Sequence, residues 1–401
     1  MFYSLPPVAS RVYFRDILRS IKGSLTNPHV MEDFKEAIQN YFGVKHCLLI
    51  NSGRAALTSI LMAFKQGDDR DEVIIPSYTC FSVPAAIVRA GLKIMLCDIE
   101  LETLDFNYDQ LEKCISEKTL AIIPCHLFGL VADVNRVIEI AKVKKVWVIE
   151  DAAQAMGAKL QEKYVGSIGD VGFFSLGRGK PMTTMGGGII VTNDDHLEAN
   201  ISSQLEALIQ NSQFKTQNFK LFVYNLVYSI FLNPRLYWIP DRLPFLHLGE
   251  TIYDPNFSIG PFAAIQAQQG LIGLKRLEME NALRYRRGLE LSRRFKKGDG
   301  IIAPKLLDSS VPIYLRFPVY LSDKIHRDKA YQNLKTRGLG SHFMYPSSIY
   351  EIKGIKVHPS CKGNDKNGRK VSRKLLTLPT NRFLKEDRIK EMENILMNKV
   401  N

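Results

Sequence analysis

A carboxylate, a carboxamide, a hydroxyl and an amine stand close together in one stretch of this chain, Val146–Asp194, as Asp151, Gln154, Ser175 and Lys180. Each lies beside a run that reads as a buried strand. Val146-Trp147-Val148-Ile149 runs into Glu150 and Asp151, and Val171–Ser175 leads into Leu176-Gly177-Arg178-Gly179-Lys180-Pro181. Gly186, Gly187 and Gly188 then turn the chain into a third strand, Ile189–Thr192. Open α/β sheets bind ligands beyond the carboxyl ends of their strands, and Asp151 and Lys180 both fall just past such ends. A carboxylate and a lysine converging there suit a cofactor with a basic ring nitrogen and an aldehyde. Pyridoxal phosphate has both, and a lysine and a partner for its pyridinium nitrogen are its recurring protein contacts. A phosphate-binding P-loop is the competing use of the Gly179-Lys180 pair, but its pattern fails at both ends. Phe174 stands where the first glycine belongs, and Pro181 where the hydroxyl belongs.

These residues need a scaffold, and hydrophobic periodicity predicts one. Residues 1–28, with Pro6-Pro7, read as extended; Val30, Phe34, Ile38 and Tyr41 then keep helical spacing until Gly43. A strand, Cys47–Ile50, meets Asn51-Ser52-Gly53-Arg54-Ala55-Ala56-Leu57 and a helix to about Phe64. Small residues at such a turn leave backbone N–H groups pointing at an anion, with the helix dipole behind them. Gly53–Ala55 are therefore candidate phosphate contacts, and the Arg54 guanidinium either adds charge there or points into solvent. Further units follow: strand Val73–Pro76 before Ser77-Tyr78-Thr79-Cys80-Phe81, strand Ile94–Cys97 and helix Tyr108–Cys114, then strand Leu120–Pro124 and helix Val134–Ala141. Repeated βα units predict a mainly parallel sheet covered by helices on both faces. His126, alone at a strand end, reads as structural. Helix His196–Gln210 closes this part. A long helix begins at Ile265 and its Arg-rich face runs to Lys297, followed by strand Ile313–Leu321, helix Asp328–Arg337, strand Leu375–Leu378 and helix Glu386–Met397.

At 401 residues and 45% apolar content the chain can bury a large core, and its length favours two domains. Cysteines 47, 80, 97, 114, 125 and 361 form no C-x-x-C pair and sit mostly in apolar runs, as reduced cytoplasmic thiols do. The opening MFYSLPPVASR lacks the charged-then-apolar order of a secretory leader. The net charge of +13 is uneven: residues 271–401 hold 29 Lys and Arg against 13 Asp and Glu. That basicity would steer an anionic substrate, face an anionic membrane, or be a solvated surface. Nucleic acid is not the expected partner, because the basic residues are interleaved with core positions and no recognition motif is present.

In the order of its motifs the chain resembles the DegT/StrS family of pyridoxal-phosphate-dependent nucleotide-sugar aminotransferases, in the fold-type-I, aspartate aminotransferase-like group. The family's E-D-A-A-Q-A matches Glu150–Ala155, its V-G-S-x-G-D-x-x-x-F-S follows Val165–Ser175 to within one aromatic, and its Ser-x4-Lys matches Ser175 and Lys180. His126, Gly129 and Asp133 meet its H-L-[FY]-G-x-x-x-D. Ser52, Gly53 and Ala56 meet G-S-G-T-x-A-L, with Arg54 for the threonine. The family aromatic that stacks on the pyridine ring is Cys80 here, with Phe81 one step on. Either Phe81 or Tyr78 stacks instead, or the ring rests on a thiol. The family's N-x-R, brought in from the partner subunit, is replaced by Ile259-Gly260-Pro261, and the His of its H-Y-P is Met344, before Tyr345-Pro346.

The resemblance implies a fold-type-I α/β enzyme. Residues 1–274 would form a large cofactor domain with a mainly parallel central sheet, and 275–401 a smaller C-terminal α+β domain. Lys180 would hold pyridoxal 5′-phosphate covalently, Asp151 would pair with its ring nitrogen, Gln154 would lie on its ring-oxygen side, and Ser175 would bind its phosphate. The implied reaction moves an amino group from a donor, glutamate, to a keto-sugar nucleotide in aminosugar or surface-glycan biosynthesis, in a cytoplasmic homodimer with sites at the interface. Relatives in which the lysine is replaced act as sugar dehydratases, and a non-catalytic sensor or scaffold is the other alternative; the presence of Lys180 favours transfer. Residues 213–255 read as an insertion whose run Leu221–Leu232 is far short of the roughly 20 residues needed to span a bilayer. Two readings of it stand open. It packs over the active site or the dimer interface, or residues 217–247 lie on an anionic membrane surface.

Overall fold

Valine, isoleucine and leucine fill the central strands almost without a break, the pattern of a sheet buried on both faces. The computed structural model describes residues 3–210, 218–243, 249, 251–295 and 301–397; Phe245 and the ends of the 217–247 segment lie outside them. The chain opens with α1 (Phe14–Thr26) and α2 (Val30–Phe42). Then come β1 (His46–Ile50), α3 (Gly53–Lys65), β2 (Glu72–Pro76), α4 (Ser82–Arg89), β3 (Lys93–Cys97) and α5 (Tyr108–Cys114). β4 (Thr119–Ile122), α6 (Val134–Val143) and β5 (Trp147–Asp151) follow, then the short β6 (Lys159–Leu160) and β7 (Lys163–Tyr164). β8 (Val171–Ser175), β9 (Gly188–Thr192) and α7 (Asp195–Gln210) complete the main sheet and its cover.

The seven strands lie in the order β1-β9-β8-β5-β4-β2-β3. β9 runs antiparallel to both of its neighbours, and the remaining pairings are parallel. The sheet thus brings the carboxyl ends of six strands to one edge. Alternation decides which layer each side chain joins. Phe174, Ile189 and Val191 pack with Val30, Phe34 and Ile38 of α2 on one face. Phe173 and Ile190 pack with Leu57, Ile60 and Leu61 of α3 on the other. Fully burying side chains of this size stabilises by about 1.5–3 kcal/mol each, so the two faces hold the sheet between them.

The insertion contributes α8 (Asn218–Phe231) and α9 (Pro234–Asp241). α10 (Ala264–Arg294) is 31 residues long, and Lys275, the expected start of the second domain, lies inside it. Its far end reaches the C-terminal elements, where Arg294 pairs with Glu393 at 2.8 Å. Those elements are β10 (Ser310–Val311), β11 (Phe317–Tyr320), α11 (Lys324–Thr336), α12 (Lys366–Lys374), β12 (Leu375–Leu378) and α13 (Glu386–Met397). β11 and β12 pair antiparallel, and the C-terminal helices bury Leu334, Val371, Ile389 and Met392 around them.

The reading of residues 1–28 as extended fails at Phe14–Thr26, which is helical. Its buried face carries Asp16 and Ser20 beside a single Ile17, so an apolar count passes over it. Arg276 of α10 grips the Asp16 carboxylate with two N–H groups, at 2.6 and 2.7 Å, and Tyr13 N–H donates to it at 3.0 Å. α12, built almost wholly from Lys, Arg, Asn and Ser, escapes the sequence reading for the same reason.

Candidate active site

Glu150 and Asp151 are successive residues at the end of β5, so their side chains leave the strand on opposite faces. Glu150 turns inward and is fully buried. Its carboxylate accepts the backbone N–H groups of Gly166, Ile168 and Gly169 at 2.7, 2.6 and 2.7 Å. It also pairs with His126 Nε2 at 3.2 Å. Ala132 N–H donates to His126 Nδ1 at 3.1 Å, which leaves the ring proton on Nε2, facing Glu150. His126 is therefore committed to holding the loop after β7 against β5. That loop presses on β8 so closely that a Cβ at Gly172 would stand 2.0 Å from Gly166 O. Only glycine fits there.

Asp151 faces the other way, onto a cavity of about 1090 Å³ at the carboxyl edge of the sheet. Its Oδ1 accepts Ala153 N–H at 3.1 Å. Burial pushes its carboxyl above the usual carboxylate range, and the Lys180 ammonium is the largest influence holding it down. Lys180 lies in the loop between β8 and β9 and borders the same cavity. The loop is tightly strapped. Ser10 Oγ donates to the Lys180 carbonyl, and Arg284, fully buried in α10, donates to the Pro181 carbonyl at 3.1 Å. Gln266 and Gln269 of α10 reach the carbonyls of Thr184 and Thr183 at 3.3 and 3.2 Å.

Ser175, at the end of β8, meets the start of α3: a Cβ on Gly53 would sit 3.0 Å from Ser175 Cβ. Ser52 caps α3, its Oγ accepting Ala55 N–H at 3.1 Å. Ala55 is thereby already engaged, and Gly53 and Arg54 are the turn's remaining first-turn groups for an anion. The Arg54 guanidinium stacks 4.7 Å from the Phe257 ring and reaches the Asp254 carbonyl at 3.5 Å. It borders the cavity as part of its wall.

The structure brings Gly53, Arg54, Cys80, Asp151, Gln154, Ser175 and Lys180 to one cavity; Ala55 and Phe81 are not on its lining. Cys80 takes the wall position. Phe81 is buried behind it, 6.1 Å from the Tyr345 ring and nearly parallel to it, and Tyr78 packs edge-on to Tyr345 at 5.5 Å. Gln154 accepts Phe128 N–H at 3.2 Å and donates to Tyr345 Oη at 2.8 Å. The insertion supplies a further wall, with Tyr224, Val227, Tyr228 and Phe231 at helical spacing along α8. Asn225 of α8 accepts from Gln269 at 2.7 Å, tying the insertion to the strap on the lysine loop. No helix among the described residues is long and apolar enough to cross a membrane. The sequence reading passed over Arg316, a cavity residue from the C-terminal part. Its one signal was a lone cation inside an apolar strand run, Leu315-Arg316-Phe317.

A lysine, a buried carboxylate and a helix N-terminus at the carboxyl edge of a mostly parallel sheet are the arrangement of a fold-type-I pyridoxal-phosphate enzyme, and this donor set fits that cofactor. The model of the DegT/DnrJ/EryC1/StrS aminotransferase family matches residues 10–236, and the chain belongs to that family. It is a pyridoxal-phosphate-dependent aminotransferase. A GDP-perosamine synthase from Caulobacter vibrioides is 29% identical over 82% of this chain and 81% of its own length. A UDP-N-acetyl-3-dehydro-alpha-D-glucosamine 3-aminotransferase from Acidithiobacillus ferrooxidans is 35% identical over 46% of this chain and 48% of its own. Among solved structures, a DegT/DnrJ/EryC1/StrS aminotransferase from Brucella abortus superposes with a TM-score of 0.74, at 25% identity, covering 95% of this chain and 94% of that one.

Proposed function

We propose that this aminotransferase moves an amino group from glutamate onto a keto-sugar nucleotide, as a homodimer in aminosugar or surface-glycan biosynthesis. The observation that carries the reading is the facing of Asp151 and Lys180 across one cavity, the carboxyl buried and within the field of the ammonium. Relatives named for perosamine and glucosamine nucleotides support the class of acceptor.

Bound pyridoxal phosphate supplies an electron-accepting ring that carries an amino group from donor to acceptor. Asp151 holds a proton at the ring nitrogen. Ser175, with the Gly53 and Arg54 N–H groups at the start of α3, binds the phosphate. Lys180 Nζ is the group that moves a proton at the substrate carbon bearing the nitrogen. Gln154, fixed between Phe128 and Tyr345, sets one side of the ring, and Cys80 lies along the wall. The apolar face of α8 forms one wall of the cavity. With that face turned to the site, the insertion is part of the enzyme's own enclosure, and we place the protein in the cytoplasm. We assign residues 1–274 to the cofactor domain and 275–401 to a smaller domain that closes over it, with α10 as their shared spine.

The test offers the amine-loaded enzyme a panel of 3-keto and 4-keto sugar nucleotides, with glutamate as donor. Formation of 2-oxoglutarate dependent on one of these acceptors is the expected result. A protein that binds the cofactor yet consumes glutamate with none of them is not a sugar aminotransferase.

A further inference from the structure

Five cations border the cavity: Arg54, Arg178, Lys180, Arg316 and Lys335. Four have an evident situation. Arg54 is stacked on Phe257, Arg178 and Lys335 are exposed, and Lys180 faces Asp151. Arg316 differs. It is 8% exposed, and among the described residues its guanidinium has no carboxylate or carbonyl within bonding distance. Only its backbone is anchored, by Arg316 N–H donating to Phe128 O at 3.3 Å. A buried charge left without a partner is strongly unfavourable, and such charges are retained where something arrives to pair with them.

A second group on the same wall is also unpaired. Ser341 is 7% exposed and borders the cavity, and among the described residues its hydroxyl has no hydrogen-bond partner. Thr377 of β12 pairs with Pro318 on one side and His342 on the other, so Arg316 and Ser341 approach the cavity from either flank of β12. His342, between them, brings no charge. Burial, with Arg316 and Lys335 nearby, takes its imidazole down to about 3, and its Nδ1 accepts Met344 N–H at 2.9 Å. Tyr237, from the insertion, and Tyr345 face the guanidinium as neutral phenols. At this corner the Lys335 ammonium is exposed to solvent, so the one buried positive charge is the Arg316 guanidinium, in fork geometry, with the Ser341 hydroxyl as its polar neighbour on the wall. That matches a single carboxylate better than a diphosphate, which needs more positive charge than one fork supplies.

We infer that Arg316, assisted by the Ser341 hydroxyl, is the point at which the cavity recognises the carboxylate of a substrate. The inference rests on the aminotransferase reading for which substrate that is. The amino donor is one source of such a group, and an acidic sugar is the other.

The experiment uses the cofactor-loaded protein and calorimetric titration, with no turnover required. The probes are glutarate, which has a donor's carboxylates and no amine, and the pair UDP-glucuronate and UDP-glucose. Arg316→Met is expected to bind glutarate about tenfold to a hundredfold more weakly than wild type, while its melting temperature is unchanged or higher, since an unpaired buried charge has been removed. Arg316→Lys should recover part of the affinity, and Ser341→Ala should lose several-fold. If glutarate binding is unaltered but the preference for UDP-glucuronate over UDP-glucose disappears, the carboxylate is the sugar's, and Arg316 still reads it. Unchanged binding of every probe overturns the inference, as does a lower melting temperature without a loss of affinity. Should Arg316→Met fail to fold, the Arg316→Lys and Ser341→Ala titrations decide alone. A colourless wild type that takes up no cofactor defeats the aminotransferase reading, and the glutarate titration still reports on Arg316 by itself.

Discussion

The Gln154 side-chain amide donates to Tyr345 Oη across 2.8 Å, joining the loop after β5 to the C-terminal wall of the cavity. Both groups are buried, and burial keeps the phenol protonated far above its usual range. Gln154 thus owes its orientation to a residue 191 positions away. Tyr345→Phe leaves the Gln154 amide without its acceptor. We expect a loss of about 1–3 kcal/mol in stability and a slower enzyme, read by denaturant melts and turnover. A mutant as stable as wild type would mean that water or another group replaces the phenol.

The proposed chemistry rests on Asp151 and Lys180, which border one cavity. Asp151→Asn keeps the fold and the cofactor, because Asn fills the same space. A neutral amide cannot hold a proton on a ring nitrogen, so turnover should fall on the order of 10²-fold or more. Absorbance of the bound cofactor and steady-state rates measure the two effects separately. Near-normal turnover would place the ring nitrogen elsewhere.

The Asp16–Arg276 pair fixes α1 to α10 and gives stability a definite pH dependence. Burial alone would push the Asp16 carboxyl up, but the Arg276 fork and Tyr13 N–H outweigh it and hold the group below its usual value. A carboxyl depressed on folding stabilises fully above its unfolded value, about 3.9, and that stabilisation is lost as pH falls through the folded value. Asp16→Asn should therefore melt below wild type near neutral pH, by roughly 1–3 kcal/mol, and the gap should close on acidification below about pH 4. A gap that stays constant through the acid range would show that the ion pair is not its origin.

The face of α8 that carries Tyr224, Val227, Tyr228 and Phe231 lines the cavity. If enclosing the site is its role, the protein should remain in the supernatant with anionic liposomes at low salt. Sedimentation with the vesicles, reversed by high salt, would instead assign the insertion to a membrane surface.

Much of this fold can be read without coordinates where short apolar runs are bounded by charge or glycine. β8, β12, α5 and α13 begin and end at the expected residues. α1 is hidden because its buried face is Asp16 and Ser20, polar groups made burial-worthy by Arg276 far along the chain. At the site, the strand-end positions of Asp151 and Ser175, and that of Lys180 in the loop beyond β8, follow from local pattern. The turning of Phe81 away from the cavity does not, since it is set by the Tyr345 ring. Arg316 is invisible for a related reason: a lone cation in a strand acquires meaning only when the cavity beside it is known.

The most direct test is covalent. Borohydride reduction of the cofactor-loaded protein, followed by digestion and mass spectrometry, should place the pyridoxal label on the peptide containing Lys180. Lys180→Ala should be colourless and carry no label. A label on another lysine, or a wild type that stays colourless with added pyridoxal phosphate, would contradict the assignment of the site.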